Sequence, residues 1–272
     1  MHQALSVDSV SFGYEPGVPV LRGVSFTVQR GEFLSIVGPN GSGKTTLLRL
    51  LDRIFIPQSG TIRLGEQDLH RMSRTEIARR VAFVPQDGAM QFPFTVYEIV
   101  LMGRSPHSRG AAFENARDRQ IALDMMRLTD IAHLASHPIT ALSGGERQRA
   151  LIARALAQQP EIILLDEPNA HLDIAHQLDA FRIIRRLNRE SGLTVISVSH
   201  DLNLAASFSD RIAVVSSGTM VACGRPEEVL TESRIRDVFH ADVSVDVNPH
   251  TRALRITLLH AAPTESSPEV AR

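Results

Sequence analysis

The chain has 272 residues, 43% of them apolar, enough for one large α/β unit or two small ones with a filled core. A formal charge of −1 without a Lys/Arg tract leaves no electrostatic footprint for DNA or RNA, so nucleic acid is not expected as the main partner. The single cysteine, Cys223, excludes an intrachain disulfide and a cysteine zinc cluster, and it fits a reducing cytoplasm. Residues 1–8 lack the basic and apolar parts of an export signal, and no apolar run approaches the ~18 residues of a spanning helix, so a soluble, unexported protein is expected.

From the start, residues 4–64 alternate short β-like runs (6–12, 20–28, 33–37 and 60–64) with turns, which predicts antiparallel strands beside a parallel core. Tyr14 lies in a turn where its ring could stack on a purine, although an edge-strand tyrosine is the commoner case. After the apolar run 33–37 comes Gly38-Pro39-Asn40-Gly41-Ser42-Gly43-Lys44-Thr45, a full match to the phosphate-loop pattern, and Thr46 then opens an apolar helix. Strand, loop and helix stand in the order that pattern requires. Gly38, Gly41 and Gly43 let backbone N–H groups turn onto phosphate oxygens beside the positive end of the helix. Lys44 adds a charge for the outer phosphates, and Thr45 would place a hydroxyl on Mg²⁺, so the implied ligand is Mg-ATP or Mg-GTP.

Residues 71–80 read as a short helix and 81–84 as a buried strand ending in Pro85-Gln86, where a glutamine is usually a solvated loop residue. From 87 to 160 β character is lost: 96–103, 114–128 and 146–158 read as helices of a subdomain inserted into the α/β core. The segment 91–105 is rich in apolar and aromatic residues. Val96, Ile99 and Val100 are expected inside, and at least two of Phe92, Phe94, Tyr97 and Met102 are expected to line a groove for a partner helix.

At 142–146 Ser143 and Glu146 form a capping box for the following helix. That leaves Gly144 and Gly145 unexplained, since each lowers helix propensity by ~1 kcal/mol against alanine. Close approach of their N–H groups to an anion would account for them, which makes this a second Gly-rich helix start suited to phosphate. Residues 162–167 read as a buried strand ending in Asp166 and Glu167, with no Lys or Arg close behind. Asp166 would complete the Mg²⁺ site, and Glu167 would orient or deprotonate the water that attacks the γ-phosphate. An apolar helix follows, then a strand over 194–199 ending at His200, placed where this fold class holds its ligand.

The phosphate loop, Gln86, residues 142–146, Asp166-Glu167 and His200, in this order and spacing, resemble the ATP-binding cassette ATPases over about residues 5–240. The resemblance implies an α/β fold with a phosphate-loop (RecA-like) core, an antiparallel β subdomain and an inserted helical subdomain at about 88–160, within an ATPase domain of residues 1–240. It implies ATP as ligand and a head-to-tail homodimer, in which each ATP lies between the phosphate loop of one chain and the signature Ser143, Gly144, Gly145 and Glu146 of the other. By the same likeness Tyr14 stacks on adenine, and Gln86 senses metal and water and couples to a partner. Asp173 contacts across the dimer, and His200 is a γ-phosphate switch. Residues 102–107 and His171-Leu172-Asp173 are similar to ATPase subunits of importers for iron-siderophore complexes, haem and cobalamin, with Ser105 and Asn169-Ala170 as departures. Expected partners are two copies of a polytopic permease and, indirectly, a periplasmic or lipoprotein substrate-binding protein, at the cytoplasmic face of the plasma membrane. The alternatives are a soluble cassette ATPase acting on DNA or ribosomes, or an exporter subunit. The gap from Lys44 to Ser143 lacks the sustained heptads of the soluble relatives, and each motif occurs once. Residues 241–272 read as a closing hairpin and a polar tail.

Overall fold

The structure is a computed structural model and describes residues 3–86, 92–108, 115–168 and 173–259. The expectations placed on residues 169–172, on Gln91 and Glu114, and on the tail 261–272 lie outside them. In chain order the strands β1 (Gln3–Phe12), β2 (Leu21–Gln29) and β3 (Phe33–Val37) lead into helix α1 (Lys44–Leu51). Strands β4 (Ser59–Leu64) and β5 (Gln67–Asp68), helix α2 (Arg74–Arg80) and strand β6 (Val81–Val84) follow. Then come helices α3 (Val96–Met102), α4 (Ala116–Leu128) and α5 (Gly144–Ala157), strand β7 (Ile162–Asp166), helix α6 (Ile174–Ser191) and strand β8 (Thr194–Val198). Helix α7 (Leu202–Phe208), strands β9 (Arg211–Ser216) and β10 (Thr219–Gly224), and helices α8 (Pro226–Val229) and α9 (Glu232–Phe239) precede the last pair, β11 (Val243–Val247) and β12 (Leu254–Leu258).

Two sheets organise these elements. The antiparallel one runs β2-β1-β4-β5, and the larger runs β10-β9-β3-β8-β7-β6 with β9, β3, β8, β7 and β6 parallel. Every residue of β3, β7 and β8 is buried, because one face packs on α1 and the antiparallel sheet and the other on α5, α6 and α7. That double cover is why their sequences are continuous apolar runs instead of alternating ones. The antiparallel strands beside a parallel core were expected from residues 4–64 and are found.

Between β6 and β7, helices α3, α4 and α5 close their own apolar cluster around Val96, Ile99, Val100, Met126 and Ala153. A buried ion pair ties them: Arg104 Nε lies 2.8 Å from Asp118 Oδ1, and Arg104 Nη1 donates to the Ala157 carbonyl at 2.6 Å. Arg104 belongs to the 102–107 stretch that carried the finer resemblance, so that stretch has a packing reason of its own. The segment expected as one helix over 71–80 is a 3₁₀ turn, Leu69–Arg71, followed by α2. Ser73 and Glu76 close a capping box that starts the helix afresh at Arg74. The β11-β12 hairpin packs on α7, where the Asn203 side chain bonds both the N–H and the C=O of Ile256.

Candidate nucleotide site

Because β3, β8, β7 and β6 are parallel neighbours, their carboxyl ends lie side by side, and the residues that follow each strand converge on one edge of the sheet. After β3 comes the phosphate loop, after β8 His200, after β7 Glu167, and after β6 Gln86. Four separated stretches of sequence meet there for a topological reason.

Gly38, Gly41 and Gly43 all take positive φ. Gly43 is the N-cap of α1 at φ 101 with no side-chain cap, and the first turn of the helix holds no acidic residue, so its amides are left to an outside acceptor. A Cβ on Gly43 would press on the Leu21 side chain. Lys44 folds back, its Nζ donating to the carbonyls of Gly38 and Pro39 at 2.9 Å each. Burial holds its ammonium below the usual lysine range, against the opposing pull of Glu167 and Asp166. Ser42 Oγ is buried with no hydrogen-bond partner, an orphaned donor in the cradle. Asn40, Gly41, Lys44, Thr45 and Thr46 line an open depression together with Tyr14, Glu167 and His200. It is not the largest hollow on the surface, but it is the one that gathers these groups. Tyr14 is half exposed at its rim, its hydroxyl 2.9 Å from Thr46 Oγ1 and its ring edge-on to Phe12 and Phe55.

Thr45 Oγ1 donates to Asp166 Oδ1 at 3.0 Å. Burial raises the Asp166 carboxyl above its usual range, with Glu167 adding to the rise and the Thr45 hydrogen bond opposing it. A buried acid paired only to a hydroxyl gains from a cation, and Thr45 and Asp166 are the hard oxygen ligands Mg²⁺ selects. Among the described residues no group of three His, Cys, Asp or Glu side chains could hold a metal, and Mg²⁺ usually keeps phosphates and waters in its shell. The residues present fit that ion.

Glu167 takes φ 48 at the end of β7 and is 9% exposed. The sequence suggested unpartnered acids here, and for Glu167 that needs correcting. Gln86 Nε2 donates to its Oε2 at 2.8 Å, and His200 Nε2 contacts its Oε1. Gln86 and His200 thus hold opposite sides of one carboxylate, and that carboxylate faces the depression.

Ser143, Gly144, Gly145 and Glu146 lie away from this depression and contribute no lining to it. Their helix begins at Gly144, two residues before the sequence-based start at 146. Ser143 Oγ accepts from the Glu146 amide at 3.3 Å, while Glu146 Oε2 accepts from Ser143 N at 2.9 Å and Oγ at 2.7 Å. Gly145 has a reason the sequence did not show: an added Cβ would lie 2.6 Å from Cγ of the His176 ring. A packing contact thus accounts for Gly145 beside the approach to an anion expected of both glycines. Asp173 caps α6, its Oδ1 accepting from His176 N at 2.9 Å and 2.7 Å from His176 Nδ1. Those two bonds, the backbone one first, lower its carboxyl below the usual range. His176 escaped the sequence reading, and only its Asp-x-x-His spacing at a helix start could have drawn notice.

At least two of four residues were expected at a partner groove; Met102 alone of them lines the depression that takes in Ile54, Ile77 and Phe83, with Asp52 and Arg154 also on its walls. Phe92 and Phe94 are exposed outside it, and Tyr97 packs into the helical cluster.

The profile of the family described as "ABC transporter" matches residues 21–170. A cobalamin import ATP-binding protein of Halobacterium salinarum is 41% identical over 89% of this chain, which spans 61% of that protein's length. An iron(3+)-hydroxamate import ATP-binding protein of Bacillus subtilis is 39% identical, covering 91% of this chain and 92% of its own. A hemin import ATP-binding protein of Rhodococcus jostii is 43% identical, over 87% and 80%. Among solved structures, a chain of an ABC transporter described as metal-chelate type, in an inward-facing conformation, superposes with a TM-score of 0.84 at 30% identity, over 96% of this chain and 98% of the other. A dimeric ATP-binding cassette in a post-hydrolysis state with ADP and Pi gives 0.73 at 31% identity, over 82% and 98%.

Proposed function

The chain belongs to the ABC transporter family, and on that premise we propose that it is the ATP-hydrolysing subunit of an importer for a metal chelate of the iron-siderophore, haem or cobalamin type. The observation that carries the ATPase reading is the convergence of Thr45, Asp166, Glu167, Gln86 and His200 on the phosphate loop. The loop amides and Lys44 bind the phosphates, with Lys44 exchanging the Gly38 and Pro39 carbonyls for β- and γ-phosphate oxygens. Thr45 and Asp166 would hold Mg²⁺, which when bound neutralises charge on the β- and γ-phosphates. Glu167 Oε1 or Oε2 orients the attacking water and takes its proton, while Gln86 and His200 fix the plane of the carboxylate. His200 then reaches the γ-phosphate as a donor, and Tyr14 offers its ring face to adenine.

That the signature residues do not line the depression of their own chain supports a head-to-tail homodimer, in which another copy supplies the second phosphate element. The test is Glu167→Gln, which keeps the Asp166 oxygens while removing the base. It should bind ATP, hydrolyse it about 100-fold or more slowly, and accumulate as a nucleotide-bridged dimer in light scattering. Monomer at saturating Mg-ATP overturns the sandwich.

Import is supported by the import functions of the relatives, and coupling to a permease by the depression beside α3 and α5, where Ile54, Ile77, Phe83 and Met102 lie among Asp52, Arg53, Arg74 and Arg154, a mixed lining open to a short permease helix. None of the described helices is long and apolar enough to cross a membrane. The importer reading gives the transmembrane path to two copies of a permease, served by a substrate-binding protein. The subunit is then peripheral, on the cytoplasmic face of the plasma membrane. Met102→Glu in the groove should abolish co-purification with the permease and uptake while the separated subunit still hydrolyses ATP. Unchanged uptake would remove this groove as the coupling surface.

A further inference from the structure

Gly145 and His176 come from different helices and meet where α5 and α6 begin. The imidazole fills the space a side chain at position 145 would need: an added Cβ lies 2.6 Å from Cγ, closer still to Cδ2, and 3.1 Å from the His176 Cβ. The same ring turns its Nδ1 to Asp173 Oδ1 at 2.7 Å, and the His176 amide donates to that oxygen at 2.9 Å. One side chain therefore touches both the start of the signature helix and the aspartate that caps the next helix.

We propose that His176 is a positioning residue: its ring sets where Gly144 and Gly145 present their first-turn amides relative to Asp173, and position 145 is glycine because that ring occupies the side-chain space. The helix start at Gly144 is closed on its exposed side by the capping box of Ser143 and Glu146. Farther along, α5 and α6 share the apolar cluster of Leu151, Ile152, Ala180, Phe181 and Ile184, and at the helix start itself the His176 ring fills the space between Gly145 and α6. In the head-to-tail dimer, on which the functional readout rests, the signature amides and Asp173 face the second copy together. A shift of one against the other then spoils the interface without touching the phosphate loop.

The test is a cycle of Gly145→Ala, His176→Ala and the double variant, each built on Glu167→Gln. Gly145→Ala should raise the Mg-ATP concentration for half-maximal dimerisation by about 10-fold or more, the size a single overpacked methyl gives. His176→Ala should raise it less. The double variant should return most of the way to the parent, because the new methyl enters the space the ring has left. A fluorescent ATP analogue titrated against the separate chains distinguishes a loss of dimerisation from a loss of nucleotide binding. A double variant no better than Gly145→Ala overturns the proposal, since the glycine is then required by the nucleotide and not by the ring. If the Glu167→Gln parent itself stays monomeric, the sandwich is wrong and melting temperature decides this proposal alone. Restoration in the double variant of the temperature lost in Gly145→Ala supports it, and no restoration overturns it.

Discussion

The two glycine-rich helix starts look alike in sequence and differ in what claims their amides. At α1 the cap is Gly43 in a left-handed conformation with no side chain to close it, and Lys44 donates to the backbone carbonyls of Gly38 and Pro39. At α5 the cap is Ser143 in a closed box, and the glycine behind it is packed against a ring. The first is held open at a conformational cost, as a receptacle is. The second is finished by its own side chains, as a presenting surface is. Glycine content marks neither role; what fills the space left by the missing side chain does.

The contrast breaks most sharply at Lys44. Lys44→Ala should lower ATP hydrolysis by about 100-fold or more, because among the described residues lining the cradle Lys44 is the one Lys or Arg that can meet the outer phosphates. Turnover near that of the wild type would mean the receptacle reading of α1 is wrong. The matching change at α5 is Ser143→Ala, which removes the acceptor for the Glu146 amide. It should cost about 1 kcal/mol of stability and lower the melting temperature by about 2–4 °C, on top of any loss in hydrolysis through the second copy. An unshifted melting temperature would show that the box contributes nothing and that both starts are open.

How far the sequence could be read follows from what kind of contact fixes each feature. Strands β3, β7 and β8 were legible because burial on both faces leaves an unbroken apolar run, and the phosphate loop because its chemistry needs fixed residue types in one short stretch. The meeting of Gln86, Glu167 and His200 was not read from the residues, where Gln86 looked like a solvated loop position; it comes from β6, β7 and β8 lying as parallel neighbours. The break before α2 was not seen, because the Ser73-Glu76 box lies inside a run that reads as continuous helix. Nor was the Gly145 contact, since nothing local to residues 142–146 announces a ring arriving from α6. The apolar excess of 91–105 was plain from composition, but which of its side chains turn to the groove depends on how α3 rolls against α5. Met102 turned there, and Phe92 and Phe94 did not. The pairing of Asn203 with Ile256 joins residues far apart in the chain and leaves no trace in either stretch.

Helix α5 runs from Gly144 to Ala157, and Arg104 grips the carbonyl at its far end while pairing with the buried Asp118. An unpaired charge left in that interior by Asp118→Ala would be expensive, so the three helices resist being parted. Fourteen residues span about 21 Å at the helical rise. A body that stiff behaves as a lever arm: tilting it by about 5° about one tip carries the other tip about 2 Å, for a helix of this rise and length. One tip carries the signature glycines and the other forms a wall of the groove through Arg154 and Gln158. On the proposed reading, motion imposed where a second chain presses would be carried along this helix to where a membrane partner would rest.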